Sequence, residues 1–261
     1  LATATLTNLS TGATNTITGI TVTFGLGVKS KHLALSNSYY AYGADHENIG
    51  GLSTSGRVYV RNLSDNSLKY TFTNPQSDFG ASDNFGKRIA MTDDYIVIWA
   101  DKWAYVYDLS DGLLEYSIDG GSIQHGDVSI NSTYFGVGDI IYNLSDGLEA
   151  YDLVTATYTA NMNEDYLVTT GGGSAKLWNL STGNVVYTKT EETDGTYGQC
   201  SAITTDYFLV SDDDYQKVYQ YSIADGSLIA TLSEETTNTG TQYGFTIAAS
   251  NKLTYVAQVN H

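Results

Sequence analysis

The sequence predicts an all-β protein, a six-bladed β-propeller built of four-stranded antiparallel blades, and three observations support this prediction. One five-residue turn motif recurs six times in 261 residues. Apolar or aromatic runs precede and follow the copies. The two ends of the chain supply complementary halves of one repeat.

The turn motif sets the period of the chain. Successive copies start 35 to 54 residues apart, and the interval from the last copy through the chain ends to the first is 47 residues. Repeats of this length are typical of propeller blades. The six copies are "NLSTG" at Asn8, "NLSDN" at Asn62, "DLSDG" at Asp108, "NLSDG" at Asn143, "NLSTG" at Asn179 and "SIADG" at Ser222.

Each copy is expected to join the two strands of a hairpin, because β-rich runs flank a turn that usually contains Gly. The copy at Asp108, for example, follows "AYVY" and precedes "LLEYSI". A second hairpin precedes most copies, over residues 33–44, 87–100, 128–138 and 200–211. Two hairpins make one four-stranded blade. Apolar side chains on both faces of these strands indicate sheets that stack face to face.

The chain ends are expected to share one blade. The C-terminal run "YGFTIAASNKLTYVAQV" supplies a first hairpin, and the N-terminal run "ATATLTNLSTGATNTI" supplies a second. A blade completed in this way would close the ring and remove open sheet edges. We therefore expect a single domain over residues 1–261, as part of a larger or processed chain because the sequence begins at Leu1 without methionine. A β-solenoid and a pair of sandwiches are the alternative folds.

Composition favours the same fold class. Thr, Ser, Asn, Gly and 22 Tyr dominate the chain, Pro occurs once, and long helix-forming stretches are absent. This mixture is typical of β-structure.

The repeated turn itself is interpreted as architecture. "NLS" and "NST" match the N-glycosylation sequon, but Asp108 and Ser222 replace the first Asn in sister copies, and all three residue types hydrogen-bond the backbone of a turn. The Gly present in five of six copies is expected at a positive-φ position. The second residue of each copy is expected to be a buried core residue, namely Leu9, Leu63, Leu109, Leu144, Leu180 and Ile223.

Function is expected on the opposite side from these turns. The turns inside the hairpins are short and uniform, whereas the connections between hairpins and between blades range from "VGD" at 137–139 to "GADHENIGGLSTSG" at 43–56. Variable loops on a rigid scaffold are the usual place for binding. The candidate binding residues on this loop-rich face are Asp45, His46, Glu47, Trp103, His125, Asp212, Asp214 and Tyr215, with Asp101, Lys102, Asp127 and Asp213 beside them.

Several of these residues have a second interpretation. Trp103 is either an exposed aromatic platform or the start of a strand packed between blades. "SDDDYQK" at 211–217 is either a calcium site or a solvated acidic turn, and "DHE" at 45–47 is either a metal site or a polar loop. We predict neither a metal nor a cofactor, and calcium stays the alternative.

Charge and motifs argue against other functions. A net charge of −17 with 12 Lys and Arg disfavours nucleic acid and membrane surfaces as partners. The four His residues lie in no catalytic motif, and no pair of acids is selected for glycoside cleavage. The single cysteine excludes an intrachain disulfide. We therefore predict that the protein is not an enzyme.

Some first strands begin with an aromatic residue followed by Gly, at Phe24-Gly25, Phe85-Gly86, Tyr197-Gly198 and Tyr243-Gly244. Together with the run from Tyr39 to Met91, this pattern resembles FG-GAP-type repeat propellers, particularly divergent versions in marine bacteria and in virion proteins of their phages. The resemblance is strongest over residues 33–118. It implies an extracellular or virion location. Integrin-like members carry a "DxDxDG" calcium loop that this sequence lacks, so calcium is not transferred.

The resulting hypothesis is a non-enzymatic recognition or assembly module of an extracellular particle, such as a phage tail or fibre component. Its partners would be protein neighbours in the assembly, or a glycan or receptor on the host surface. A secreted bacterial adhesin or lectin domain is one alternative, and a glycoside-active enzyme is the other.

Overall fold

The computed structural model describes residues 2–7, 14–20, 32–49, 55–76, 84–100, 102–120, 127–153, 159–190, 197–212, 215–233, 241–249 and 254–260. The chain divides into two compact units, Leu1–Gln124 and His125–His261. Every regular element in the described ranges is a β-strand, so they contain no helix that could span a membrane.

The first unit contains ten strands: β1 (Ala2–Thr7), β2 (Thr14–Ile20), β3 (Leu33–Leu35), β4 (Tyr39–Ala44), β5 (Arg57–Asn62), β6 (Leu68–Thr73), β7 (Arg88–Met91), β8 (Tyr95–Ala100), β9 (Trp103–Asp108) and β10 (Leu114–Asp119). The second unit contains β11 (Val128–Ile130), β12 (Tyr134–Val137), β13 (Ile140–Asn143), β14 (Glu149–Asp152), β15 (Thr159–Met162), β16 (Tyr166–Gly171), β17 (Ser174–Asn179), β18 (Asn184–Thr190), β19 (Tyr197–Ile203), β20 (Tyr207–Asp212), β21 (Lys217–Ser222), β22 (Leu228–Ser233), β23 (Thr241–Ala249) and β24 (Thr254–Asn260).

Five sheets of four strands follow the chain order, β3 to β6, β7 to β10, β11 to β14, β15 to β18 and β19 to β22. Neighbouring strands in each are antiparallel, which confirms the predicted all-β repeat. The strands β1 and β2 form one two-stranded sheet, and β23 and β24 form another. The shared blade, the count of six, the closed ring and the single domain therefore stay predictions.

Burial falls from the inner to the outer strands of a sheet. In β8 the residues from Ile96 to Ala100 are all buried, because this strand lies inside its sheet and both of its faces are covered. The outermost strand β10 alternates between exposed and half-buried side chains. The sequence patterns fit these roles, since a continuous apolar run suits a strand covered on both faces and an alternating one suits a half-exposed strand.

The turn inside each first hairpin repeats one set of hydrogen bonds. A Ser, Thr or Asn side-chain oxygen accepts the amide of a Tyr three residues later, as in Thr92 Oγ1 to Tyr95 N at 3.1 Å. The backbone closes the same turn, with Thr92 N donating to the Tyr95 carbonyl at 2.9 Å. The other four copies pair Ser36 with Tyr39, Asn131 with Tyr134, Asn163 with Tyr166 and Thr204 with Tyr207. These turns are interchangeable in structure as well as in sequence.

The repeated five-residue motif forms the turn of each second hairpin. Its fifth residue donates its amide to the carbonyl of the first, as from Gly112 to Asp108 at 2.9 Å. That fifth residue has positive φ in all five described copies, 78° at Gly112 and 62° at Asn66, which takes the place of Gly in one copy. The predicted turn chemistry is confirmed, because glycine and, less readily, asparagine adopt this backbone conformation at low cost.

The second residue of the motif ties the two turns of a sheet together. Leu109 is buried, and its amide donates to the carbonyl of Asp94 in the first turn at 2.7 Å. Leu144, Leu180 and Ile223 are buried in the same way, whereas Leu63 is half-buried. The predicted core position is therefore confirmed in four of the five described copies.

Adjacent first turns within a unit are also joined. The carboxylate of Asp93 accepts the Ser38 amide at 2.8 Å and the Asn37 side-chain amide at 3.2 Å. The hydrogen bond with Ser36 has the largest effect on the pKa of Asp93 and, together with those from Ser38 and Asn37, holds this pKa below its ordinary value against the opposing effect of burial. Glu164 accepts from Ser132 at the matching position in the second unit. Side chains in the turns of the first hairpins therefore form hydrogen bonds that hold adjacent sheets together.

Three of the repeated turns also rest on the sheet before them. A Cβ added to Gly183 would lie 2.4 Å from the ring of Tyr151, which belongs to the fourth strand of the preceding sheet. Gly226 meets Tyr187 and Gly112 meets Tyr70 in the same arrangement. Two separate constraints require glycine at these positions. The backbone is left-handed, and the aromatic ring occupies the space that a side chain would need.

Replacing Gly183 should therefore destabilise the protein more than replacing a glycine that has only the backbone requirement. We expect Gly183→Ala to lower the free energy of unfolding by about 2–4 kcal/mol, the sum of strain and steric displacement. Gly172→Ala is the control, since φ there is 56° and a Cβ would meet nothing within 4 Å; it should cost only about 1 kcal/mol. Urea unfolding of both variants measures the difference, and equal losses would contradict the packing role of Tyr151.

Candidate functional site

The connections at the other end of the strands differ from sheet to sheet. Residues 45–56 join β4 to β5, whereas residues 138–139 join β12 to β13 and residues 172–173 join β16 to β17. We call these links and those between consecutive sheets the variable connections. They begin where the second and fourth strands of each sheet end, so they lie opposite the uniform turns.

The predicted site residues fall into three groups. Asp45, His46 and Glu47 lie together in the β4–β5 connection. Asp212 ends β20, Tyr215 follows it, and Trp103 begins β9. His125 and Asp214 lie outside the described residues, as do Asp101 and Asp213.

Asp45 is a buried carboxylate at the end of β4. Its residue is 4% exposed, and its Oδ2 lies 3.1 Å from His32 Nε2. The His32 carbonyl also accepts the Gly43 amide at 2.9 Å, so the chain entering β3 is fixed against β4. A protonated His32 would place a positive charge against this carboxylate, and a buried ion pair of this kind matters mainly because losing one partner strands the other.

Glu47 is the centre of a three-residue cluster. Its Oε1 accepts from Arg57 Nη1 at 2.7 Å, and its Oε2 accepts from the Tyr59 hydroxyl at 2.9 Å. Arg57 Nη1 also donates to the Tyr59 hydroxyl at 3.1 Å. We call Glu47, Arg57 and Tyr59 the carboxylate–arginine–tyrosine cluster. The Arg57 and Glu47 side chains are 27% and 28% exposed, so the charges reach solvent while they remain held in place.

The electrostatics of the cluster follow from these contacts. The hydrogen bond with Tyr59 raises the pKa of Arg57 above its already high ordinary value, so the guanidinium stays charged. Burial raises the pKa of Tyr59, which keeps its hydroxyl a donor at neutral pH. The Tyr59 ring stacks on Tyr42 at a centroid distance of 5.1 Å. This arrangement suits recognition through hydrogen bonds rather than proton transfer.

The connection around the cluster is anchored at both of its described ends. Glu47 donates its amide to the Ala44 carbonyl at 2.9 Å, and its own carbonyl accepts the Gly56 amide at 3.0 Å. Ser55 Oγ donates to the same Glu47 carbonyl and accepts the Ile49 amide at 3.1 Å. The described residues at both ends of this connection are therefore fixed by backbone and hydroxyl contacts.

Trp103 follows its second interpretation. Its side chain is half-buried and packs against the buried core cluster of the first unit. The ring stacks beside Tyr105 at 6.5 Å, and the residue pairs with Ala100 and Asp119 in the sheet. The exposed side chain beside it is Lys102.

Asp212 and Tyr215 shape the β20–β21 connection. Asp212 is fully buried, and its Oδ1 accepts the Tyr215 amide at 3.3 Å. Tyr215 is 42% exposed, with Lys217 Nζ 5.6 Å from the centre of its ring. In the described part of the chain, no three His, Cys, Asp or Glu side chains are grouped to hold a metal ion. The calcium alternative at residues 211–217 also involves Asp213 and Asp214, which are not described.

Asp127 has a structural role within the second unit. It is 2% exposed, its Oδ1 accepts the Val128 amide, and its Oδ2 accepts the Ala160 amide at 2.9 Å. It therefore joins β11 to β15 in the next sheet. Thr159 and Asn161 make similar polar contacts to Ser201 in β19. Carboxylates, amides and hydroxyls near the first strands thus connect neighbouring sheets.

Sequence analysis missed His32, Ser55, Arg57 and Tyr59 as site residues. The available signal was the alternation in "RVYVRN", where Arg57, Tyr59 and Arg61 share one face of β5. Charged residues at alternate positions of a strand near a variable connection indicate a polar face. Pairing of Ala44 with Arg57 brings that face beside the "DHE" run.

Comparisons with known proteins address the fold. No family model matches the chain, and no curated protein matches it in sequence. A chain of a structure titled "Crystal Structure of Mitotic Checkpoint Complex" is similar with a TM-score of 0.63 and 12% identity. The match covers 84% of this chain and 66% of that one, slightly under two thirds. This likeness and the repeated four-stranded sheets show a β-propeller-like fold.

The fold does not select a function. The solved chains similar to this one number 1095, and one architecture of this kind hosts many unrelated activities. The resemblance to FG-GAP-type repeats stays a prediction. Function must therefore be argued from the variable connections themselves.

The carboxylate–arginine–tyrosine cluster should behave as one energetically coupled unit. We expect Glu47→Gln and Arg57→Ala each to lower the free energy of unfolding by about 1 kcal/mol, and the double variant to lose less than the sum by about 0.5–1 kcal/mol. The reason is that each single change leaves a half-buried partner without its opposite charge. Urea unfolding of the four proteins gives the coupling directly.

Strict additivity would show that Glu47 and Arg57 do not stabilise the connection through their contact. Lys102→Ala is the matched control, because this exposed cation lies in another variable connection and should not couple to Glu47.

Proposed function

We propose that the chain is a non-enzymatic recognition or assembly module of an extracellular particle, a phage virion component of the tail or fibre type, that binds through its variable connections. The proposal includes the blade number and the ring closure, in which a blade shared by the termini completes a six-bladed propeller. It also includes the FG-GAP-type relationship. Protein neighbours, or a receptor or glycan on the host surface, are its partners.

One observation carries the proposal, the contrast between the two ends of the strands. The uniform turns repeat the same hydrogen bonds in five sheets, and acids in them such as Asp93 and Glu164 accept from the preceding sheet. The variable connections range from two residues to fourteen and present exposed Asn48, Lys102 and Tyr215. Side chains that already hold neighbouring sheets together are not available to contact a binding partner. Exposed side chains in loops on a rigid scaffold are available for such contacts.

The fixed geometry of the β4–β5 connection supports binding rather than catalysis. Glu47 is neutralised by Arg57, and the Tyr59 hydroxyl is already engaged. A nucleophile needs a base within hydrogen-bond reach and an orienting acid, and the four His residues lie in no catalytic motif of the sequence. We therefore retain the proposal that the protein is not an enzyme. Turnover of a polysaccharide by the isolated chain would contradict it.

Crosslinking from opposite ends of one strand tests which end binds. Lys102→Cys places a photo-crosslinker in a variable connection after β8, and Asp94→Cys places it in the uniform turn before β8, about 20 Å away. Both positions are exposed, and the native Cys200 is buried. In particles that carry the full-length chain, we expect crosslinks to a neighbour from Lys102→Cys in clear excess over Asp94→Cys.

An equal yield from both positions, or an excess from Asp94→Cys, would overturn the assignment of the binding side. Purified particles from which the chain is absent by mass spectrometry would overturn the virion role.

A secreted adhesin or lectin domain is the second candidate, favoured by one specific observation. The Tyr59 ring, the Arg57 guanidinium and the Glu47 carboxylate lie together at a partly exposed site. Aromatic rings with a polar end and planar charged groups suit contacts with a sugar ring and its hydroxyls. The same trio does not recur in the other described sheets, which disfavours repeated glycan pockets.

A glycan array with the isolated chain tests this second candidate. If the cluster binds sugars, Tyr59→Phe should weaken binding about tenfold by removing one hydroxyl contact. Tyr187→Phe is the control, because its hydroxyl donates to the Ala224 carbonyl in a uniform turn. An array on which no glycan binds would count against the lectin function and leave the assembly function standing.

A further inference from the structure

Exposed aliphatic side chains are concentrated at one structural position. Of the eleven large hydrophobic residues that are exposed among the described ones, eight lie just after the repeated turn, at the start of a fourth strand. Single exposed hydrophobic residues are ordinary. It is unusual, however, that exposed hydrophobic residues recur at the same place in all five four-stranded sheets. The eight residues are Leu68, Leu113 and Leu114 in the first unit, and Leu148, Val185, Val186, Leu228 and Ile229 in the second.

In the second unit these residues lie in successive sheets that contact each other through the repeated turns. The repeated turn at Gly183 rests on Tyr151 of β14, and the turn at Gly226 rests on Tyr187 of β18. The Tyr187 hydroxyl also donates to the Ala224 carbonyl at 3.0 Å. Successive fourth strands and turns are therefore in contact. We call Leu148, Val185, Val186, Leu228 and Ile229 the aliphatic band.

The band belongs to strands that each have an unpaired edge. β14, β18 and β22 are the outermost strands of their sheets. Natural edge strands are usually protected by charged residues, particularly Lys, or by Pro. Here exposed aliphatic residues lie at or beside the start of each strand, with Leu148 65% exposed and Leu228 and Ile229 both 53% exposed. Retaining apolar residues at such edges marks an interaction surface.

Carboxylates are fixed beside the band. Asp146 Oδ1 accepts the Leu148 amide at 3.0 Å, and Asp225 Oδ1 accepts the Ser227 amide at 3.0 Å and its hydroxyl at 2.7 Å. The Ser227 hydrogen bonds lower the pKa of Asp225 to about 2, so this carboxylate is ionised at neutral pH. The repeated turns and fourth strands of the second unit contain four acidic residues and one basic residue. The acidic residues are Asp146, Glu149, Asp152 and Asp225, and the basic residue is Lys189.

We propose that the aliphatic band of the second unit binds a cationic polypeptide segment that carries apolar side chains. The aliphatic residues bury the apolar side chains of the segment, and the carboxylates of Asp146 and Asp225 attract its Lys or Arg residues. Charge selects this occupant over the alternatives. A second copy of the chain would bring the same carboxylates against each other, and an anionic lipid surface would be repelled.

This surface is separate from the variable connections. It lies beside the uniform turns, so one module can bind a neighbour along this edge while the variable connections remain available. The band therefore gives the second unit an interaction at the end of its strands opposite its own variable connections.

Binding of synthetic peptides to the full-length chain tests the inference. The probe is a short fluorescent peptide of alternating Lys and Leu, and the comparison peptides replace its Lys by Glu or its Leu by Ser. Fluorescence anisotropy should show saturable binding of the Lys–Leu peptide that weakens as salt increases. Both comparison peptides should bind about tenfold more weakly or worse, because each lacks one of the two required properties.

Substitution in the band should remove this binding. Leu148→Thr, Val185→Thr and Leu228→Thr together keep residues that favour strands and should weaken the Lys–Leu peptide about tenfold or more. The matched control combines Leu33→Thr and Leu35→Thr, since those residues are 49% and 57% exposed but lie in β3 of the first unit. The control should bind as the wild-type chain does. Circular dichroism and unfolding midpoints check that both variants keep the fold.

A second variant tests the charges independently of the apolar residues. Asp146→Asn and Asp225→Asn keep a side-chain oxygen for the turn hydrogen bonds and remove two negative charges. They should weaken the peptide and reduce its salt dependence. Unchanged binding in either band variant, equal binding of the Lys–Ser peptide, or no saturable binding to the wild-type chain would overturn the inference. A dimer that only the Leu and Val substitutions dissociate would assign the band to a second copy and overturn it as well.

Discussion

The contact between a repeated turn and the sheet before it, made by three of the five described copies, is the constraint on which the described structure depends. A left-handed residue closes the turn, and at Gly112, Gly183 and Gly226 the absence of a side chain lets a Tyr ring of the preceding sheet pack against the backbone. Turn and packing therefore require the same residue. The neighbouring Leu or Ile is buried and hydrogen-bonds to the first turn, which fixes the two hairpins of a sheet together. Because one five-residue motif performs all three tasks, repeating the motif repeats the sheet.

This concentration of structural roles at one end of the strands frees the other end to vary. The first turns use their Ser, Thr, Asn and acidic residues to close themselves and to join adjacent sheets. The connection between β4 and β5 instead builds a local cluster around Glu47, Arg57 and Tyr59 that the other described sheets do not copy. A scaffold stabilised on one side tolerates differences on the other, and such differences give a binding module its specificity. The outer edges are a further exception, because there the repeat itself places exposed aliphatic residues beside fixed carboxylates.

Acidic residues have different roles in different parts of the structure. Asp127 and Asp212 are buried and accept backbone amides, so they stabilise the fold. Asp45 is buried beside His32, and Glu47 is neutralised by Arg57. Asp146 and Asp225 hold turns while remaining at the surface. Among the described acidic residues, the role of each carboxylate therefore depends on the groups that it contacts.

The sequence alone determined the repeat, the strand class and the turn chemistry, because these depend on spacing, on apolar patterning and on residues such as Gly112 that few alternatives can replace. It also placed Leu109, Leu144, Leu180 and Ile223 in the core. Only the tertiary structure decided that Asp127 is a tie between sheets, that Trp103 is half-buried in a strand, and that Arg57 and Tyr59 meet Glu47. Each of those roles depends on which strands and loops become neighbours, and contacts between residues distant along the chain leave no local pattern from which they could be recognised.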